Sequence, residues 1–103
     1  MKQELDIFIV AYQRPEVLLY TLQSLYLYIT ESEKFNINLY IWINDSTHTD
    51  AAVGAWALIH KPKEIDKLMF FPTDENYGKA YALNSMFELH SGPDHLVLVL
   101  DQD

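Results

Sequence analysis

The chain has 103 residues, of which 15 are acidic and 7 are basic, and its formal net charge is −8. The length fits one domain, and a composition of 50% hydrophobic residues argues against a disordered chain. The acidic balance argues against binding to nucleic acid or to anionic lipid, because both need clustered Lys and Arg. Since the sequence contains no cysteine, a disulfide, a thiolate metal site and a cysteine nucleophile are all excluded.

The sequence gives no sign of a membrane segment or a secretory signal. Every apolar run is shorter than the roughly 20 residues that span a bilayer. The N-terminal segment MKQELDIFIV places acidic residues before a short apolar run, unlike a signal peptide. We therefore expect a soluble, cytoplasmic protein, and peripheral association of the full-length protein with a membrane is left open.

Strands and helices are predicted to alternate along the chain. The first strand, 5–10, is almost continuously apolar, which is typical of a strand buried on both faces. Pro15 suits the first turn of a helix, and apolar residues at spacings of three and four extend that helix over 16–29. The remaining predicted elements are a strand 38–43, a helix 50–60, a strand 67–71, a helix 78–89 and a strand 95–100.

The predicted order βαβαβαβ indicates a Rossmann-like α/β fold. Such a fold has a mainly parallel open sheet with helices on both faces, joined by right-handed crossovers. In sheets of this kind, ligands bind beyond the carboxyl ends of the strands. Polar residues follow three of the four predicted strands, and these are Tyr12 and Gln13, then Asn44 and Asp45, then Asp101 and Asp103. The sequence therefore predicts a binding site at this edge.

Asp101 and Asp103 are candidate metal ligands. Two neighbouring carboxylates repel each other, so a divalent cation favours their ionised forms. Hard oxygen ligands of this kind suit Mg²⁺ or Mn²⁺ carrying a substrate diphosphate. The alternative is a solvated acidic tail, but the position directly after the apolar segment LVLVL favours the metal site.

Three other positions have both a functional and a structural interpretation. Tyr12 either stacks on a nucleotide base or is a half-buried loop aromatic. Asp45 either accepts a hydrogen bond from a base or a ribose hydroxyl, or is the N-cap of the following helix. Gly78 either leaves room for an anion at a helix N-terminus, with Lys79 as a positive charge beside it, or belongs to a capped helix start with an exposed lysine.

The sequence lacks the motifs that define several classes of enzyme. Glycine occurs only at positions 54, 78 and 92, so the chain has neither a Walker A loop nor a GxGxxG turn. It also has no GxSxG nucleophile elbow, and its four histidines lack a spacing suited to zinc. A haloacid-dehalogenase phosphatase carries its Asp-x-Asp after the first strand, where this chain has Ala11 and Tyr12.

Four segments resemble, in order, the N-terminal half of a family 2 glycosyltransferase with the GT-A fold. They are IVAYQRPEVLLYTLQSL, WINDST, ENYGKAYALN and LVLVLDQD, and they cover essentially the whole chain. The Asp-Gln-Asp form of the last motif is similar to that of rhamnosyltransferase-like members. The resemblance implies that 1–103 is the nucleotide-sugar-binding half of a GT-A domain, truncated at the Asp-x-Asp motif.

The resemblance also implies roles for individual residues. Tyr12 would lie against the base, Asp45 would contact the base, and Asp101 and Asp103 would bind ribose and diphosphate through Mg²⁺ or Mn²⁺. The complete implied set for the nucleotide sugar is Ala11, Tyr12, Gln13, Arg14, Asp45, Asn76, Gly78, Lys79, Asn84, Asp101 and Gln102, with Asp103 and Asp101 as metal ligands. The general base and the acceptor site belong to the family's later half, so no catalytic residue is expected here.

The chain departs from the family pattern at three points. Asn44 lies where an acidic residue is usual, Ser85 replaces a frequent glycine, and the family's catalytic domain is considerably longer. We expect the donor site of an inverting, metal-dependent glycosyltransferase, which uses a UDP- or dTDP-linked sugar and a saccharide or other hydroxyl acceptor. This chain alone would be inactive. The alternative is a non-catalytic nucleotide-binding or interaction domain that retains the fold.

The last predicted strand also indicates self-association. In a GT-A sheet the strand 95–100 would lie inside, with later strands paired on its far side. At the end of this chain that side would present unpaired N–H and C=O groups on an apolar strand, which is a template for pairing with another chain. We therefore expect a dimer or higher oligomer that associates through this edge or through the apolar surface beside it.

Overall fold

The computed structural model describes residues 2–29 and 34–100 of the chain. Its elements are β1 (Gln3–Tyr12), α1 (Pro15–Ile29), β2 (Phe35–Asn44), α2 (His48–Ile59), β3 (Ile65–Pro72), α3 (Lys79–His90) and β4 (Leu96–Leu100). The predicted order is confirmed, and the predicted bounds differ only at the ends of the elements. Within the described residues, no helix is both long and apolar enough to cross a membrane.

The four strands form one parallel sheet in the order β3-β2-β1-β4. The chain runs outward from β1 through β2 to β3, and α3 then carries it back to β4 on the other side of β1. The strand order therefore reverses between β1 and β4, which is the topological switch point of the sheet. The prediction of a Rossmann-like α/β fold with a parallel open sheet is confirmed.

Helices cover both faces of the sheet, as predicted. On one face, α1 and α2 pack against alternate residues of the two central strands, among them Ile7, Ile9 and Ile41. On the other face, α3 packs through Ala82 and Met86 against a smaller aromatic core made by Phe8, Tyr40 and Trp42. Both faces of β1 are consequently buried, because the side chains of a strand alternate between the faces.

A buried carboxylate interrupts the apolar core. Asp6 is fully buried in β1, and its Oδ1 accepts a hydrogen bond from Asn38 Nδ2 at 2.9 Å. Its Oδ2 accepts a bond from Ser91 Oγ at 2.9 Å and lies 2.7 Å from Nδ1 of His95. These contacts offset the cost of removing the carboxylate from water and tie the start of β4 to the centre of the sheet. The sequence pattern had not indicated this network.

Candidate functional site

The carboxyl ends of β1 and β2 lie side by side, because Tyr12 pairs in register with Asn44. The next residue after each strand has a left-handed backbone, with φ of 54° at Gln13 and 50° at Asp45. Non-glycine residues adopt this conformation at a cost of about 1–3 kcal/mol, and such residues cluster at functional sites. Two neighbouring strands therefore end in similar sharp turns at one edge of the sheet.

The first loop presents three side chains to solvent at this edge. Tyr12, Gln13 and Arg14 are all exposed, and 43% of the surface of Tyr12 is accessible to solvent. The Arg14 carbonyl accepts a hydrogen bond from Leu18 N at 3.0 Å, which joins the loop to the first turn of α1. Ala11, in contrast, is buried in the core, so it offers a ligand only its backbone.

The second loop leaves Asp45 without a capping role. The N-cap of α2 is Thr47, whose Oγ1 accepts a hydrogen bond from Asp50 N at 3.2 Å. Asp50 Oδ2 in turn accepts a bond from Thr47 N at 2.9 Å, which completes a capping box. The alternative interpretation of Asp45 as the helix N-cap is therefore wrong. Asp45 is half-buried, and its backbone N–H donates to Glu75 O at 3.2 Å.

Asn44 joins the second loop to the segment before α3. Its side chain is buried, and Oδ1 accepts hydrogen bonds from Trp42 Nε1 at 2.9 Å and from Tyr77 N at 3.1 Å. Asn44 lies at the position where family 2 glycosyltransferases, which this chain resembles, usually have an acidic residue. In this chain the side chain holds two segments of the edge together, a role that sequence reasoning missed. The available signal was a polar residue directly after the apolar segment YIWI.

Thr73 forms a second connection between these loops, and sequence reasoning also missed it. Its backbone N–H donates to Ile43 O at 2.9 Å, and its carbonyl accepts from Ser46 N at 2.8 Å. Its Oγ1 donates to Glu75 O at 2.6 Å and accepts from Asp45 N at 3.3 Å. Together with Asn44, Thr73 makes the loops after β2 and β3 into one hydrogen-bonded unit.

The segment before α3 folds as a turn that leads into the helix. Asn76 Oδ1 accepts a hydrogen bond from Gly78 N at 2.9 Å, and Gly78 is the N-cap with a φ of 84°. A Cβ added at Gly78 would meet nothing within 4 Å, so the glycine is required for its backbone conformation rather than for space. Lys79 is the first residue of α3 and is exposed. The positive end of the α3 dipole therefore lies at the carboxyl edge of the sheet.

An exposed aromatic surface borders this turn. The Tyr77 ring stacks on the Tyr81 ring with centroids 5.2 Å apart, and Tyr81 meets the Trp42 ring edge-on at 5.8 Å. The negative charge of Glu75, with a further contribution from Asp74, raises the pKa of the Tyr77 phenol above its ordinary value. This surface was not predicted from the sequence.

Asn84 lies apart from these residues. It is exposed on α3, whereas Ala82 and Met86 on the same helix are buried against the sheet. A helix rises about 1.5 Å per residue, which puts Asn84 about 9 Å along the axis from Gly78. The structure brings together Tyr12, Gln13, Asp45 and the 76–79 turn, and Asn84 lies further along α3.

The predicted metal ligands Asp101 and Asp103, with Gln102 between them, lie outside the described residues. The last described residue of β4, Leu100, pairs in register with Ile9 of β1. Over 2–29 and 34–100, no group of three or more His, Asp or Glu side chains is arranged to hold a metal ion. The metal site of Asp101 and Asp103 stays a prediction.

A scan against protein-family models, a search of curated proteins and a search of solved structures found no match to this chain. The fold class therefore rests on the strand order and register of the chain itself, and the chemistry of the edge rests on the residues found there.

Proposed function

We propose that this chain is the donor-nucleotide half of an inverting family 2 glycosyltransferase that acts in the cytoplasm, either free or at a membrane surface. The donor is a UDP- or dTDP-linked sugar, and the acceptor is a hydroxyl of a saccharide or another molecule. The proposal is supported by one observation above all. The polar residues after β1 and β2 and before α3 meet at the carboxyl edge of the sheet, where ligands bind in open α/β folds.

The described residues suit the nucleotide part of such a donor. The exposed ring of Tyr12 offers a face on which a base can stack, and the half-buried Asp45 is placed by its turn beside the same strand ends. A carboxylate there accepts a hydrogen bond from a base N–H or a ribose hydroxyl. Arg14, Lys79 and the N-terminus of α3 supply positive charge for the phosphates.

The electrostatics of this edge support a metal requirement. Asp45, Asp74 and Glu75 are acidic, and the chain as a whole carries a charge of −8, so a diphosphate would be repelled in the absence of a cation. Asp101 and Asp103 would hold Mg²⁺ or Mn²⁺, since carboxylate oxygens are the ligands that these ions prefer. When bound, the ion would neutralise charge on the diphosphate leaving group.

The proposed reaction needs a general base, and the resemblance places that residue in the family's later half. A general base would remove the proton from the acceptor hydroxyl, and the oxygen would attack the anomeric carbon as its bond to the diphosphate breaks, with inversion. Such proton removal commonly contributes about 10²–10⁴-fold to the rate. We assign the base and the acceptor site to the later half of a full-length protein. The 103-residue chain should bind the donor without transferring the sugar.

Calorimetric titration with UDP, dTDP and GDP, with and without Mn²⁺, tests the proposal. We expect UDP or dTDP to bind only in the presence of the cation. Asp103→Ala should abolish this binding, whereas the matched control Asp94→Ala, at the opposite end of β4, should preserve it. Stacking on a base is worth about 1–3 kcal/mol, so Tyr12→Ala should weaken binding by about 5- to 150-fold. Tyr20→Ala, which alters an exposed tyrosine on α1, should have no effect.

Each part of the proposal has its own contrary result. If none of the three nucleotides binds at millimolar concentration with Mn²⁺, the donor site is wrong. Cation-independent binding that survives Asp103→Ala would overturn only the metal role. Steady transfer to an acceptor by the chain alone would show that the base lies within 1–103. Nucleotide binding without any transfer by a full-length protein would favour the alternative of a non-catalytic nucleotide-binding domain.

A further inference from the structure

The backbone hydrogen bonds between β2 and β3 end with an offset of one residue. Thr73 N donates to Ile43 O at 2.9 Å, which continues the regular register of the two strands. In a regular parallel ladder the Thr73 carbonyl would next accept a bond from the amide two residues beyond Ile43, which is that of Asp45. It accepts a bond from Ser46 N instead, at 2.8 Å. The chain after β2 therefore contains one extra residue at this point, as in a β-bulge.

The offset takes Asp45 out of the strand. A strand that continued regularly would place Asp45 on the same face as Ile43, which α1 and α2 cover. Asp45 instead has a φ of 50°, a left-handed conformation that costs free energy for a residue other than glycine. Bulges are common beside binding sites, where they change the direction of a side chain. The offset therefore leaves Asp45 half-buried at the carboxyl edge rather than packed beneath a helix.

The offset also removes the regular acceptor of the Asp45 amide, and the Thr73 side chain replaces it. Thr73 Oγ1 accepts a bond from Asp45 N at 3.3 Å, and Glu75 O accepts from the same amide at 3.2 Å. The Thr73 hydroxyl also donates to Glu75 O at 2.6 Å, which holds the second acceptor beside the first. The side chain of Thr73 thus does for Asp45 N what the Thr73 carbonyl would do in a regular ladder.

The hydrogen of the Thr73 hydroxyl is used within the two loops. A hydroxyl donates one hydrogen bond, and the acceptors in reach are Glu75 O at 2.6 Å and Ile43 O at 3.3 Å. Asp45 N occupies the acceptor side of the same oxygen, and the residue is half-buried. The hydroxyl is therefore placed to stabilise the turn rather than to donate to a ligand.

We propose that Thr73 is a positioning residue for the donor nucleotide, which it affects by holding Asp45 in its turn and without touching the ligand. The inference rests on the proposed function, because it takes Asp45 as a contact of the base or the ribose. Without the hydroxyl, the left-handed turn loses two hydrogen bonds, and the carboxylate lies in its binding position in a smaller fraction of the molecules. The apparent affinity for the nucleotide falls with that fraction.

Thr73→Val tests this role, because valine keeps the shape of the side chain and lacks the hydroxyl. A net hydrogen bond corresponds to about a 2- to 12-fold change in an equilibrium constant, and the Kd for UDP or dTDP with Mn²⁺ should rise by that factor. Thr73→Ser retains the hydroxyl and should keep the Kd within about 1.5-fold of the parent value. Thr21→Val is the matched control. Thr21 is also half-buried, and its hydroxyl donates to Val17 O at 2.9 Å within α1, so the Kd should again stay within about 1.5-fold.

A double-mutant cycle separates positioning from a general loss of stability. Asp45→Gly removes the carboxylate through which Thr73 acts, while glycine adopts the left-handed conformation freely. In that background Thr73→Val should change the Kd by less than about 1.5-fold, although it should destabilise both backgrounds alike. Calorimetric titration at millimolar nucleotide with Mn²⁺ measures the Kd values, and urea unfolding measures the stabilities of the same four chains. Thr73→Ala replaces Thr73→Val if the valine variant does not fold, with the same rise in Kd expected.

Three results would overturn the proposal while leaving the donor site intact. The first is parent affinity in a folded Thr73→Val or Thr73→Ala chain. The second is an equal loss of affinity in Thr73→Ser and Thr73→Val, because the hydroxyl would then not be the group that matters. The third is the same loss with and without the Asp45 carboxylate, since Thr73 would then act by another route. If the parent chain binds neither UDP nor dTDP with Mn²⁺, the proposed function is wrong, and this inference is wrong with it.

Discussion

Replacing Asn44 by alanine should destabilise the fold and loosen the segment before α3. The substitution removes Oδ1, which accepts bonds from Trp42 Nε1 and from Tyr77 N. The Trp42 side chain is buried, so its N–H would lose its partner away from water at a cost of about 1–3 kcal/mol. Tyr77 is partly exposed, and water can replace part of its bond, which makes the second loss about 0.5–1.5 kcal/mol. We expect a total loss of about 1.5–4.5 kcal/mol.

Urea unfolding followed by circular dichroism measures this loss. Asn84→Ala is the matched control, because Asn84 is exposed on α3 and alanine is the better helix former there. The control should raise the free energy of unfolding by about 0.5 kcal/mol. Amide hydrogen exchange provides a local readout, and in Asn44→Ala the Tyr77 amide should exchange at least tenfold faster than in the parent chain.

The outcome can refute the role of Asn44 directly. A free energy of unfolding within about 0.5 kcal/mol of the parent chain would show that the two bonds contribute little. An unchanged exchange rate at the Tyr77 amide would show that Asn44 does not hold the segment before α3. Global destabilisation with preserved local protection would leave Asn44 as a core residue only, without a connection to the proposed nucleotide site.

Two further predictions concern pH and backbone conformation. Burial raises the pKa of Tyr26 from 10.0 to about 12, and its neutral hydroxyl donates to Ala57 O at 2.8 Å. The stabilisation that comes from the higher pKa in the folded state is complete below pH 10 and is lost as the pH rises through 12. The total loss in the free energy of unfolding is about 2–3 kcal/mol. Urea unfolding between pH 9 and 11.5 should show the decline, and Tyr26→Phe should reduce it; an equal decline in both chains would contradict this assignment. Gly78→Ala should lower the free energy of unfolding by about 1–3 kcal/mol, because an alanine is strained at a φ of 84°. A steric clash does not contribute, since an added Cβ meets nothing within 4 Å. An unchanged melting temperature would show that the turn adopts another conformation without cost.

The order of helices and strands and the fold class were predictable from the sequence, because their signals are local. Apolar runs, the helical spacing of α1, Pro15 and the polar breaks each act over a few residues and need no knowledge of the rest of the chain. The same local signals placed Tyr12 and Asp45 directly after strands. In a parallel sheet, residues that directly follow strands lie at its carboxyl edge, which is where both residues are found.

Only the tertiary structure decided which distant side chains meet. Asp6 and His95 are 89 positions apart, and nothing in either neighbourhood indicates that one will lie 2.7 Å from the other. The bond from Tyr77 N to Asn44, across 33 positions, likewise depends on how the loops after two strands pack. The exposed position of Asn84 follows from the face that α3 turns toward the sheet. Strand order has the same origin, because β4 pairs with β1 only once α3 has crossed to the opposite face, and that choice is made by packing over the whole domain rather than by any short segment.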